Sequence, residues 1–278
     1  MRKTLFFLAF LCAARAHAAP AKVAAIPETL SVRAAAWDLS WKPATDEAWR
    51  DRVVAAVAAA AKDGIDVVVF PENVSNGRGV EPALSAIRDA AGADRLVVLG
   101  GSPLREPGRD YAVSRAYILA NGAWQTMDKL DPTPAERASV PPVKAGMRLP
   151  LIRFRGGVVA ALAGCSIEKT EIAASLKKRA VQLVLVFASA EDEAGAARVA
   201  RTASSRAVEL GAAVVTAPPS PAAPALYLPA QKGLDLKPQA PAGGDFRVPW
   251  KKLLELRAPG SDEPRPFLDP APGYQVEI

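Results

Sequence analysis

The sequence predicts an α/β fold, with helices packed on the faces of a sheet. Two observations carry that prediction. Short apolar runs alternate with longer segments of helical spacing, several of which stop at a glycine. After Gly156 the same alternation begins again and continues to Pro218.

Taken in order, Ser31–Trp37 (SVRAAAW) reads as a buried strand. Asp46–Gly64 is Ala-rich with helical spacing, opened by Thr45 or Asp46 and closed by Gly64. Ile65–Phe70 is a strand, Glu81–Gly92 a helix ending at glycine, and Asp94–Gly101 another strand. Ser114–Lys129 reads as two strands around Asn121-Gly122, a strong hairpin signal. In the second half, residues 156–164 form a strand, Ile167–Ala180 a helix and Val181–Ser189 a strand. Glu193–Gly211 is a helix with a glycine stop and Ala212–Pro218 a strand. Pro218–Gln231 is a Pro/Ala loop with one short strand candidate. From Pro249 onward a short helix (WKKLLELR) leads into an extended, Pro-rich tail. No solenoid repeat and no interdomain linker is visible.

The N-terminus predicts a cleavable secretory leader over residues 1–18. Arg2-Lys3 precede an apolar stretch from Leu5 to Ala14, and Ala16-His17-Ala18 is a small-x-small cleavage signal. The apolar stretch is short for a bilayer span. The expected organisation is therefore a leader, 1–18, and one domain, 19–278, whose last part (249–278) holds the short helix and tail. The expected location is the periplasm or the extracellular space, with no membrane association once the leader is gone.

Loss of the leader narrows the available chemistry. Cys12 leaves with it, so Cys165 is the single remaining thiol and no internal disulfide can form. His17 is the only histidine, so a Ser-His-Asp triad, a Cys-His dyad and the usual zinc sites are all excluded from the mature chain. Hydrolytic chemistry must then come from carboxylates, lysines and one thiol, and no metal or organic cofactor is expected. Of the formal charge of +6, three units belong to Arg2, Lys3 and Arg15. The remaining basic residues are scattered with no aromatic-interleaved stripe, which argues against nucleic-acid binding.

In α/β sheets, ligands gather beyond the carboxyl ends of the strands. Three reactive residues are placed there. Glu72 follows the apolar run Val67–Phe70 and Pro71. Lys129 ends the second arm of the hairpin. Cys165 follows the strand GGVVAALAG and precedes a helix. A thiolate is a nucleophile, and a partly buried carboxylate can take its proton. An ammonium group favours the thiolate and faces the oxyanion of an attacked carbonyl or nitrile. The first backbone N–H groups of the following helix are expected to point at the same place.

With these residues the chain resembles the carbon–nitrogen hydrolase (nitrilase) superfamily. The likeness lies in Glu72 of VVVFPEN, Lys129 of MDKLDPTPAE and Cys165 of ALAGCSIE, spaced by 57 and 36 residues. It extends to AYILANGAW before the lysine, to KAG (Lys144–Gly146), to SRAVELGAAVVTAP and to PRPFL near the end. The resemblance implies an αββα sandwich in a single domain and a Glu-Lys-Cys triad. It also implies an amidase-like activity on a small-molecule amide and assembly into a homo-oligomer. Glu136 falls where relatives carry an acid that orients the lysine or the substrate. From the groups themselves, the backbone N–H of Ser166, at the start of the helix expected after Cys165, is expected to hold the oxyanion together with Lys129. Cys165 is followed by Ser166, Ile167 and Glu168, where relatives commonly carry an aromatic residue and Asp. Ser114-Arg115 stands where they carry Asn-Ser.

Other readings of the same residues stay open at this stage. Cys165 could be a buried structural thiol or a redox sensor. The altered residues after it fit a pseudoenzyme or binding protein, and the same triad serves nitrilases and acyltransferases. Glu168 and Glu171 read as first-turn helix acids, and Trp37, Trp41 and Trp49 as packing.

Overall fold

A computed structural model describes residues 25–189, 193–229, 244–256 and 275–277. The expected leader and most of the tail beyond Glu255 lie outside the described residues. Two sheets form the centre. The first contains β1 (Leu30–Ala34), β2 (Val67–Val69), β3 (Leu96–Arg105), β4 (Ala112–Ala120), β5 (Ala123–Asp128), the two-residue β6 (Val143–Lys144) and β12 (Asp245–Val248). Their order is β12-β1-β2-β3-β4-β5, with β6 added to β4. The second contains β7 (Arg148–Phe154), β8 (Gly157–Ala163), β9 (Leu183–Phe187), β10 (Ala213–Ala217), β11 (Ala225–Tyr227) and β13 (Gln275–Glu277), in the order β11-β10-β9-β8-β7-β13. Each sheet has a parallel centre, β1-β2-β3 in one and β8-β9-β10 in the other.

Side-chain alternation sorts the core into layers. Val67 and Val69 of β2 join one apolar cluster with Leu151, Val159 and Leu183 of the second sheet. Their neighbours Val68 and Phe70 join a separate cluster with residues of α1 (Asp46–Lys62) and α2 (Leu84–Ala91). On the far side, α4 (Thr170–Lys178) and α5 (Glu193–Leu210) cover the second sheet through Ile172, Leu176, Ala203 and Ala207. The result is an αββα sandwich. A strand buried on both faces needs no polar alternation, which is why VVVF and LVLVF are unbroken apolar runs.

Local signals account for the element ends. The Thr45 hydroxyl accepts from the Ala48 N–H at 3.1 Å, capping α1. Asn121 and Gly122 both take positive φ, 50° and 75°, as the tight turn between β4 and β5 requires. Arg155 (49°) and Gly156 (82°) do the same between β7 and β8.

The structure departs from expectation at several elements. β7 forms although Pro150 argues against a strand: it sits beside the sheet edge, where its outer neighbour is the three-residue β13. Short β12 acquires its extended form by pairing with β1. The predicted helix Ile167–Ala180 is divided. Residues Gly164–Glu168 make a 3₁₀ turn, Lys169 is extended (φ −74°, ψ 122°), and α4 starts only at Thr170. Among the described residues, no helix is long and apolar enough to cross a membrane.

Candidate active site

Glu72 is held where the two sheets meet. Beyond β2, Phe70 N–H still donates to Val98 C=O (2.8 Å). Glu72 N–H then donates to Ala188 C=O of the second sheet (3.2 Å), and Asn73 N–H to Gly101 C=O (2.7 Å). Gly100 permits this approach, since a Cβ there would lie 2.1 Å from Pro71 O and 2.6 Å from Glu72 N. From outside, Trp49 Nε1–H donates to Val74 C=O (2.8 Å). Trp37 packs edge-on to both Trp41 and Phe70. These tryptophans buttress the Glu72 turn from the helix side, in keeping with their reading as packing. A cavity of about 450 Å³, lined by Leu39, Lys42, Asn73, Asn76, Gly77 and Pro103, opens beside it.

Lys129 leaves the end of β5 under similar control. Its N–H donates to Ser114 C=O and its C=O accepts from Gly146 N–H, both at 2.8 Å. A Cβ at Gly146 would stand 2.3 Å from Asp128 O, so residue 146 must be glycine for this strand end to sit where it does. Arg115, directly across from Asp128 in the ladder, grips that carboxylate with two hydrogen bonds of 2.7 and 3.0 Å.

Seven residues on, Glu136 lies in α3 (Pro134–Ala138), a single turn whose stability comes from its cap. The Thr133 hydroxyl accepts from Glu136 N–H (3.2 Å), and Glu136 Oε2 accepts from Thr133 N–H (2.6 Å). The same carboxylate reaches Lys129 Nζ with Oε1 at 3.0 Å and Oε2 at 2.9 Å. The T-P-A-E string carries a capping-box signature with Pro at the first helical position, so this turn was readable from sequence.

Cys165 lies inside the 3₁₀ turn and not ahead of an α-helix, so the amides of α4 do not begin until five residues later. This corrects the expectation that a helix N-terminus follows the thiol directly. The turn is held instead by Arg206 of α5, which donates to the carbonyls of Ile167 (3.0 Å) and Glu168 (2.9 Å). Ser166 is fully buried, and among the described residues its hydroxyl has no hydrogen-bond partner. Cys165 Sγ lies 2.8 Å from the backbone carbonyl of Asp131 and is partly exposed. Asp131 went unnoticed in the sequence, because a backbone acceptor has no residue-type signature.

The five residues singled out by sequence thus fall in one region. Lys129 Nζ is 2.7 Å from Glu72 Oε1, with both side chains only 2% exposed, and Glu136 meets the same ammonium. Burial pushes the Glu72 carboxyl above its usual range, a rise that Lys129 partly offsets. Burial disfavours the Lys129 ammonium, but Glu72, Cys165 and Glu136 together outweigh it and keep the group charged. Burial also lifts the Cys165 thiol to about 11; Lys129 opposes this, while Glu72, Asp131 and Glu136 add to it. A neutral thiol, a carboxyl poised to exchange protons and a fixed cation are suited to acyl chemistry.

The sequence matches the family described as carbon-nitrogen hydrolase over residues 33–220, more than half of the chain. The chain belongs to the carbon–nitrogen hydrolase family. Among solved structures, a cysteine-to-alanine mutant of an amidase of the nitrilase superfamily from Nesterenkonia AN1 superposes with a TM-score of 0.63. It is 20% identical, and the match covers 86% of this chain and 97% of that one. The same amidase with butyramide bound gives 0.59 at 20% identity, covering 83% and 94%. XC1258 from Xanthomonas campestris, a CN-hydrolase superfamily protein with an arsenic adduct in its active site, gives 0.62 at 17% identity, covering 84% and 95%. At these identities the likeness is one of fold. No curated protein sequence matches the chain.

Proposed function

We propose that this carbon–nitrogen hydrolase is an amidase that cleaves small, non-peptide amides through a thioester on Cys165. The observation that carries the reading is the buried Lys129 ammonium, shared by Glu72 and Glu136 at 2.7–3.0 Å and electrostatically coupled to Cys165.

The residues take complementary parts. With its pKa near 11, the sulfur is a thiol at neutral pH and must lose its proton as it attacks. Glu72, raised by burial, takes that proton while the S–C bond forms at the amide carbon. Lys129 and the Ser166 N–H face the oxyanion. Glu72 next delivers the proton to the amine nitrogen, and the C–N bond breaks to leave the thioester. Water then gives a proton to Glu72 and its oxygen to the acyl carbon, the C–S bond breaks, Glu72 returns the proton to the sulfur, and the acid departs. Glu136 keeps the ammonium directed at the reacting centre. A small amide is favoured because the amidase with the same fold binds butyramide. We place the mature protein in the periplasm or outside the cell, from the leader signal in residues 1–18, and as a homo-oligomer, by resemblance to the family.

The test is intact-mass analysis of the protein exposed to a panel of short aliphatic amides, nitriles and acyl acceptors. An acyl adduct on Cys165 with amides, and a folded but inactive Cys165→Ala variant, is the expected result. Normal turnover by Cys165→Ala would overturn the reading, and turnover of nitriles alone would reassign the bond that is cleaved.

A further inference from the structure

Asp131 joins all the parts of this site, although nothing in its position two residues after Lys129 draws attention to it. Its backbone carbonyl is the acceptor for Cys165 Sγ at 2.8 Å. Its carboxylate meets Lys169, the residue that closes the cysteine turn, at 3.3 Å, and also Arg137, the neighbour of Glu136 in α3. Asp131 thereby ties the cysteine turn to the segment that presents Lys129 and Glu136. Its side chain is 17% exposed, so the ion pair with Lys169 is shielded on one side.

We propose that Asp131 is the positioning residue that holds the resting sulfur in its protonated state, through its carbonyl as acceptor and its carboxylate as a fixed negative charge. The physical reason is simple. A thiol in contact with a carbonyl oxygen can donate to it, whereas a thiolate has no proton to donate and would face the carbonyl lone pairs. Thiolate formation and the Asp131 contact therefore exclude each other, and the sulfur must leave that carbonyl as its charge develops.

Charge works in the same direction. The groups that face the thiol are Lys129, which favours the thiolate, and Glu72, Asp131 and Glu136, which oppose it. Glu72 and Glu136 are both bound to Lys129. Asp131 alone among the three is balanced by other cations, Lys169 and Arg137. Those two cations set how much of its negative charge reaches the sulfur. The proposal rests on Cys165 being the reactive group of the proposed amidase, but its test does not require turnover.

The experiment measures the rate of Cys165 alkylation by iodoacetamide against pH, in the full chain and in two variants. Asp131→Asn keeps the carbonyl and the side-chain shape and removes the charge, so alkylation at neutral pH should accelerate about three- to tenfold and its midpoint move to lower pH. Lys169→Met leaves Asp131 less neutralised, so alkylation should slow and its midpoint rise. Shifts of opposite sign support the proposal, because merely loosening the turn would raise both rates. Shifts of the same sign, or no shift, overturn it. If Asp131→Asn does not fold, Lys169→Met decides alone, through a raised or an unchanged midpoint. Opposite shifts in a protein that turns over no amide would leave Asp131 in this role and refute the amidase reading.

Discussion

Lys129 Nζ stands 2.7 Å from Glu72 Oε1 in a place that water scarcely reaches, each side chain being 2% exposed. Ions so placed are costly unless paired, and removing one partner costs more than the pair itself contributes. The two partners are not equivalent, however. Lys129 retains Glu136 when Glu72 is neutralised, whereas two carboxylates lose their cation when Lys129 is removed. Lys129→Met should therefore destabilise the fold by about 3–5 kcal/mol, and Glu72→Gln by clearly less. Both should abolish amide turnover. Urea denaturation of the two variants checks the order, and equal losses would contradict it.

The thiol gives a second prediction, this one in alkaline solution. Its folded value, about 11, lies above the ordinary value of 9.0. Below pH 9 both folded and unfolded chains hold the proton and the contribution to stability is fully present. As pH rises from 9 through 11 the unfolded chain ionises first, so that contribution is lost. Relative to Cys165→Ala, the parent protein should lose on the order of 1–2 kcal/mol across this window. Denaturation midpoints at pH 8 and pH 11 measure the difference.

Glycine at 100 and at 146 is a steric requirement. Alanine at either position puts a Cβ within 2.1–2.3 Å of a backbone oxygen, that of Pro71 or Asp128, which the rigid strand ends cannot avoid. Gly100→Ala should displace the Glu72 turn and Gly146→Ala the Lys129 strand end. Each should cost about 1–3 kcal/mol and reduce kcat more than it raises KM. Thermal melts and steady-state kinetics on the two variants test this.

Two arginines of α5 hold the cysteine turn: Arg198 pairs with the Glu168 carboxylate at 2.8 Å, and Arg206 binds the turn's backbone. Arg206 supplies donors to two turn carbonyls, at 3.0 and 2.9 Å. Arg206→Met leaves both without that donor, at a cost of about 1–3 kcal/mol. Arg206→Lys should recover only part of this, since an ammonium cannot reproduce the fork of a guanidinium. Alkylation of Cys165 should become faster and less pH-dependent in Arg206→Met; unchanged labelling would show that the turn holds without it.

The cap of α3 can be tested separately from the charge it carries. Thr133→Ala removes the hydroxyl that accepts from Glu136 N–H and should cost about 1 kcal/mol. It leaves the Glu136 carboxylate intact, so activity should fall several-fold while Glu136→Ala falls further. Kinetics of the two variants side by side distinguish cap from carboxylate.

The sequence by itself determined an α/β fold with helices covering the sheets, because strands buried on both faces must be unbroken apolar runs and their covering helices must be amphipathic or Ala-rich; the αββα layering followed only from the family resemblance. The sequence also determined the hairpin at Asn121-Gly122, whose backbone only such residues adopt readily, and the three strand ends from which Glu72, Lys129 and Cys165 emerge. Absence of histidine beyond residue 17 confined the chemistry of the remaining chain to an acid, an ammonium and a thiol. The tertiary structure alone decided how these groups meet. Whether Lys129 lies against Glu72, and how far burial moves each proton, depends on two sheets whose strand ends are brought together by contacts from Ala188, Gly146 and Arg206, distant in the chain. The same holds for β7 and β12, which take extended form through their partners and against or without local preference. It also holds for the division of the predicted helix after Cys165, where Arg206 satisfies turn carbonyls that α-helical continuation would otherwise have claimed. Local preference selects among a few backbone shapes for each segment. The Asp131 carbonyl beside the sulfur belongs to a different scale, since every residue carries such an acceptor and only packing gives one of them a thiol to bind.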